Sequence, residues 1–238
     1  MIILPHTMDR KKDARITYYM VVDTETATYD ENIQTVRGTN MLVYDCGYAI
    51  VDKKGRVYET GSYIIKEVFY DELERMRSCY FADKRADYIE DIEYGIHVVC
   101  NWSELIFHLQ NRAEYWGIRS ICAYNARFDM GAICRTNEYL TGKYWEPPLL
   151  KKYPVWDIMK MVKDTIYNRP TYQSFCFKNG NITKHAKPRA QIKAETVKKY
   201  LENDPSYVEQ HTGLEDVLIE AEIMAKCFAT HKKMRREL

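Results

Sequence analysis

The chain contains no CxxC pair. Its seven cysteines stand singly, at Cys46, Cys79, Cys100, Cys122, Cys134, Cys176 and Cys227. That spacing argues against a zinc module, and an odd, scattered set argues against a disulfide framework. Lone cysteines of this kind are small core hydrophobes in a reducing compartment, so a cytoplasmic location is expected. Excess charge is also missing: the net charge is +1, and no global field draws the protein to a polyanion. The opening MIILPHTMDRKKDAR has an apolar run too short for a signal core and carries its charges on the wrong side of it, so neither export nor membrane association is expected. Repeats, low-complexity tracts and a Pro/Gly/Ser-rich linker are absent too, which predicts one domain over residues 1–238.

What is present suits a globular α/β protein. Hydrophobic residues make up 46% of the chain, and Tyr alone occurs 20 times, enough for a sizeable core. Residues Ile16 to Thr24 are β-branched and aromatic, and MVVD reads as a buried central strand ending near Asp23. MLVYDCGYAIVD and RVYETGSYIIKE flank Lys53-Lys54-Gly55 and predict a hairpin. A charged helical insertion is expected over about 68–99, then a helix from Asn101, with Glu104 as its capping partner, to a stop at Gly117. RSICAY is a fourth strand feeding a helix with Asn125 as N-cap, and PVW a fifth, followed by a helix from Asp157 to Tyr167 ended by Pro170. Residues Thr171 to Arg189 read as loop, within a variable region over about 171–195, and Ala190 to Leu201 as helix. The last helix is the most legible. Leu214, Val217, Leu218, Ala221, Met224, Ala225 and Phe228 repeat at helical steps behind a Thr212-x-x-Glu215 capping box.

Three motifs carry chemistry. Asp23 and Glu25 lie two apart at a strand end, so both side chains share a face and can reach one cation. The pair is weak evidence alone, since Asp91-Ile92-Glu93 repeats the spacing, but only the first follows a buried strand, where an unliganded charge is costly. Asp129 and Asp216 each fall in the first turn of a helix, and ligands of open α/β sheets bind beyond the carboxyl ends of strands. Four converging carboxylates repel one another unless protonated or balanced by cations. Oxygen ligands favour hard ions, so two divalent ions, Mg²⁺ or Mn²⁺, are expected, as in in-line phosphoryl displacement. His211, just before the last helix, can be neutral at pH 7 and accept a proton from water. Thr24, Thr26, Tyr124, Asn125 and Phe128 adjoin these groups and are candidate substrate contacts, Phe128 either against a terminal base or in the core. Asp157 belongs either to the acidic cluster or to a helix N-cap, and Glu220 reads as a solvated helix residue. Basic strips at Arg10–Arg15, Lys184–Lys199 and Lys232–Arg236 either hold phosphates or are ordinary solvated faces.

The motifs VVDTETA, AYNARFDM and HTGLEDVLIEAEIM resemble, in order and spacing, those of the DnaQ-like exonucleases of the DEDD class. His211 stands five residues before Asp216, as in the histidine subclass (DEDDh), whereas the tyrosine subclass would need Tyr at the position of Thr212. The resemblance implies an RNase H-like fold, expected here as a central mixed five-stranded sheet with helices on both faces. It also implies removal of nucleotides from the 3′ end of single-stranded DNA or RNA, two catalytic metals, Asp23 as bridging ligand and His211 as general base. A polymerase-bound proofreading subunit is the alternative, although the short stretch after Phe228 is expected to leave little room for a polymerase-binding extension. A fold-sharing binding protein without turnover should have lost one of these groups, and all five are present. A looser similarity, around PRAQIKAETVKKYL, is to bacteriophage-encoded members of the family.

Overall fold

The computed structural model describes residues 12–28, 41–79, 82–142, 146–209 and 211–238. Strand β1 (Tyr18–Thr28) leads into β2 (Met41–Asp52) and β3 (Val57–Ile65). Short helices α1 (Lys66–Phe69), α2 (Leu73–Ser78) and α3 (Arg85–Glu93) precede β4 (Val98–Cys100) and α4 (Trp102–Trp116). Then come β5 (Ile121–Ala123), α5 (Arg127–Thr141), α6 (Pro148–Lys152), β6 (Val155–Asp157) and α7 (Ile158–Val162), the last prolonged by a π-turn at Lys163–Tyr167. Helices α8 (Pro170–Lys178), α9 (Ala194–Glu202) and α10 (Gly213–Ala229) complete the order. None of the described helices is long and apolar enough to cross a membrane.

The sheet runs β4-β3-β2-β1-β5-β6, with β1, β2 and β3 antiparallel and the β1–β5, β3–β4 and β5–β6 pairs parallel. Strand β1 is apolar without interruption from Tyr18 to Val22 because both its faces are covered there. Tyr18, Met20 and Val22 pack on one side, against α4 and α5 among others; Tyr19 and Val21 pack on the other, against α7, α9 and α10.

Several expectations are corrected. The sheet has six strands, not five, because Val98–Cys100 pairs with Tyr63, Ile64 and Ile65 inside the stretch read as a helical insertion. Three residues carry too little periodicity to announce a strand; the open edge of β3 recruits them. Strand β1 does not end near Asp23 but continues to Thr28, kinked by a bulge between Glu25 and Thr26. The stretch from Thr171, read as loop, begins inside α8, where Pro170 fills the first helical turn and so starts one helix as well as ending another. Helix α9 begins at Ala194, since Ala190 instead bridges Ile182. The strips at Lys184–Lys199 and Lys232–Arg236 fall wholly within the described residues and the strip at Arg10–Arg15 partly so; positions 1–11 of the opening segment lie outside them.

One close approach seats α10. Gly47 on β2 lies against Gly213, the first residue of α10, so closely that a Cβ on Gly47 would fall 2.1 Å from the Gly213 carbonyl carbon and oxygen. Both neighbours are backbone and cannot rotate away. Gly47→Ala is therefore expected to lift the start of α10 and destabilise the protein by about 1–3 kcal/mol or more, the usual scale of overpacking. Urea unfolding checks it, and a wild-type midpoint would contradict this reading of the contact.

Candidate active site

The candidate site is built on the middle of β1, just before its bulge. Asp23 stands opposite Gly47 across the β1–β2 ladder, and Glu25 opposite Asp45, so the two acidic side chains of β1 share the face covered by α10. With no side chain at Gly47, the first turn of α10 settles onto that face and brings Asp216 with it, 8% exposed. From the other side of the sheet, α5 delivers Asp129, 2% exposed, whose Oδ1 accepts from the Thr24 amide at 3.2 Å and the Thr24 hydroxyl at 2.9 Å. The alternation of β1 explains the division: Thr24 points to the α5 face while its neighbours point to the α10 face.

His211 enters the same space in a left-handed conformation, φ 55°. That costs a non-glycine residue about 1–2 kcal/mol, and such strain persists only where the surroundings hold it. Its Nδ1 lies 3.5 Å from Glu209 Oε2 and 4.0 Å from Asp216 Oδ2. Glu25, His211 and Asp216 each present a ligand atom, all within 4.8 Å of one another. Asp216 Oδ1 is buried with no hydrogen-bond partner among the described residues. An orphaned acceptor in a nest of carboxylates fits a cation, and carboxylate oxygens without thiolate fit a hard one.

The electrostatics follow from the crowding. Burial, then Asp129, Glu220, Asp216 and Glu25, push the Asp23 carboxyl well above the usual range. Glu25 is pushed up to about 8, by burial first and Asp45 next. Asp129 and Asp216 rise as well, each chiefly through burial, with the Thr24 bonds opposing the rise at Asp129 and Glu209 adding to it at Asp216. His211 moves the other way, lowered by burial and then by Lys84, which keeps the imidazole neutral near pH 7.

The sequence-predicted groups thus meet, with adjustments. Asn125 is not the N-cap of α5: it occupies a left-handed turn, φ 59°, its carbonyl accepting from the Phe128 amide, and Ala126 precedes the helix. Tyr124 is anchored at both ends, its amide donating to Glu220 Oε2 at 3.1 Å and its hydroxyl to the Ile192 carbonyl. Phe128 is 40% exposed beside Asp129, and Thr26 is half-buried just past the bulge. Asp157 is a helix N-cap, accepting from the Met159 and Lys160 amides. Thr212 is the N-cap residue of α10, but its hydroxyl meets Glu215 rather than the helix backbone. Glu220 is the clearest miss. Read as solvated, it is 3% exposed and faces the cluster. Its position four residues after Asp216, hence on the same helical face, was the available signal. Glu209, two residues before His211, and Asp45 were also missed; Asp45 is reached only by cross-strand register.

No protein-family model and no curated protein matches the sequence. Solved structures do match the fold. One is the nuclease domain of 3'hExo, described as a DEDDh family member and bound to rAMP: TM-score 0.56, 13% identity, covering 95% of this chain and 100% of that one. Another, described as 3′-end specific recognition of histone mRNA stem-loop by 3′-exonuclease, gives TM-score 0.56 at 13% identity and covers 97% of this chain and 71% of that one. E. coli Exonuclease I with a 5cy-dT13 oligonucleotide gives 0.52 at 16% identity, covering 91% of this chain and 41% of that one. At such identities the likeness is one of fold. The chain has the mixed α/β, RNase H-like architecture of these exonucleases, a central sheet with helices on both faces.

Carboxyls raised by burial hold protons that the unfolded chain releases. Their stabilising contribution is complete below the ordinary carboxylate range and is lost as pH rises through the raised values, about 8 for Glu25. The metal-free protein should therefore melt progressively lower from about pH 5 to about pH 9, and Mg²⁺ or Mn²⁺ should raise the melting temperature far more at the alkaline end. A cation effect equal at both ends, by scanning calorimetry, would contradict the cluster as a cation site.

Proposed function

We propose that the chain is a metal-dependent 3′→5′ exonuclease of the histidine subclass of the DEDD class, forming one DnaQ-like domain and acting on single-stranded DNA or RNA ends. The observation that carries the reading is the convergence of Asp23, Glu25, Asp129 and Asp216, from β1, α5 and α10, around a space that His211 also enters. The fold likeness to proteins seen with rAMP and with an oligonucleotide supports the same substrate class.

In this proposal Asp23, Glu25, Asp129 and Asp216 hold two divalent cations, Mg²⁺ or Mn²⁺. Ions held there would balance the carboxylate charge and supply Lewis-acid chemistry to water and to the phosphodiester. The remaining work belongs to the protein. Thr24 orients Asp129 through its amide and hydroxyl. With Nδ1 of His211 turned toward Glu209 and Asp216, a proton there leaves the Nε2 lone pair to take the proton of the attacking water. Thr24, Thr26, Tyr124, Asn125 and Phe128 border the space for the terminal nucleotide, and the half-exposed Phe128 ring is the surface there for stacking a base.

The test is a labelled single-stranded oligonucleotide, DNA and RNA in parallel. A ladder should shorten from the 3′ end with release of nucleoside 5′-monophosphates, stop with EDTA and resume with Mg²⁺ or Mn²⁺. A 3′-terminal phosphate should suppress cleavage and a 5′ block of similar size should not. Rapid cutting of a circular strand would make the protein an endonuclease. Co-purification with a polymerase would favour the proofreading alternative, and metal-dependent binding without release of nucleotides would favour a non-catalytic binding protein.

Asp23→Ala should abolish hydrolysis while leaving the metal-free protein at least as stable as wild type, because it relieves like-charge repulsion. His211→Ala should slow turnover by about 10²–10⁴-fold and remove the acidic limb of the pH–rate profile. A variant that keeps that limb would transfer the base role to another group.

A further inference from the structure

Asp45 has no part in the chemistry above, yet its side chain is wholly buried beside it. Its Oδ2 accepts two hydrogen bonds of 2.9 Å, one from the amide of Gly213 and one from the hydroxyl of Tyr88. Gly213 opens α10, two residues after His211 and three before Asp216. Tyr88 belongs to α3, and its ring stacks on His97, at 5.1 Å, whose Nδ1 lies 2.6 Å from Ser62 Oγ. One oxygen atom therefore joins β2, the start of α10 and the helical segment between β3 and β4. It satisfies the first amide of α10, one of the helix-terminal donors that have no acceptor within the helix. The preceding left-handed His211 needs such an external hold.

We propose that Asp45 is a positioning residue of the site: as a hydrogen-bond acceptor it clamps the His211–Gly213 turn to β2, and through Tyr88 it docks α3 against the same turn. Acceptance, not charge, is the function assigned to it. Among the described residues Oδ1 has no hydrogen-bond partner, so an amide nitrogen in its place breaks none of the bonds described, and Asp45→Asn retains both contacts. The kinetic arm of the test rests on the nuclease reading; the exchange arm does not.

Asp45→Ala, Asp45→Asn and Tyr88→Phe are compared with wild type in the full chain. Hydrogen exchange is read at the Gly213 amide and across α3, and kcat and KM are measured on a single-stranded oligonucleotide. In Asp45→Ala the Gly213 amide should exchange at least about tenfold faster. Its kcat should fall about 10–100-fold, the scale of a misplaced catalytic group, with KM changed by less than about threefold. Asp45→Asn should match wild type in both readouts, and Tyr88→Phe should speed exchange in α3 while Gly213 stays protected. Wild-type exchange and kcat in a folded Asp45→Ala would overturn the clamp, as would an Asp45→Asn as impaired as Asp45→Ala, which would assign the work to charge. Should Asp45→Ala fail to fold, Asp45→Asn and Tyr88→Phe decide by the same outcomes. A wild-type chain without nuclease activity would defeat the functional reading alone, because exchange at Gly213 needs no substrate.

Discussion

Like charges held together away from water are the constraint around which this molecule is arranged. Asp129, Asp216 and Glu220 each raise the charging cost of Asp23, and burial raises it for all four. A chain left to relax would separate them. They stay together because each is carried by an element whose position is set elsewhere by apolar packing: β1 between two hydrophobic layers, α5 in one and α10 in the other. The stabilisation lies in the layers, and the site draws on it.

Within that frame a few polar contacts set the orientation. Thr24 holds Asp129 across the sheet edge, the Tyr124 amide holds Glu220, and Asp45 holds the amide that opens α10. Each contact joins two elements distant in sequence, so the positions of the carboxylates are over-determined. That rigidity allows His211 to stay in a left-handed conformation that an isolated turn would abandon.

The two stretches read from the sequence as a charged insertion, about 68–99, and as a variable region, about 171–195, both come to the site. The first supplies Tyr88 to Asp45 and places Lys84 near enough to depress His211; the second places Lys193 and Glu195 in the same field with opposite signs. Both stretches thus bear on the surroundings of the histidine.

The elements whose signal is local were legible in the chain itself. The buried run of β1, the hairpin at Lys53-Lys54-Gly55, the stop at Gly117 and the apolar face of α10 follow from periodicity and end chemistry, which act over a few residues. The same local rules put Asp23 beside Glu25, Asp129 in the first turn of α5, and His211 just ahead of Asp216. Pairing over long distances was not legible. Strand β4 exists because β3 has an open edge, Glu220 is buried because α10 lies on β2, and Asp45 meets Gly213 because Gly47 has no side chain. The four-residue step from Asp216 gives the face of Glu220, but nothing within a few residues of Val98 or Asp45 specifies their partners, since strand register and helix docking depend on surfaces that exist only once the sheet has formed. Residue types and their spacing determined which chemical groups the chain holds; the tertiary structure decided which of them share a space too small for their charges.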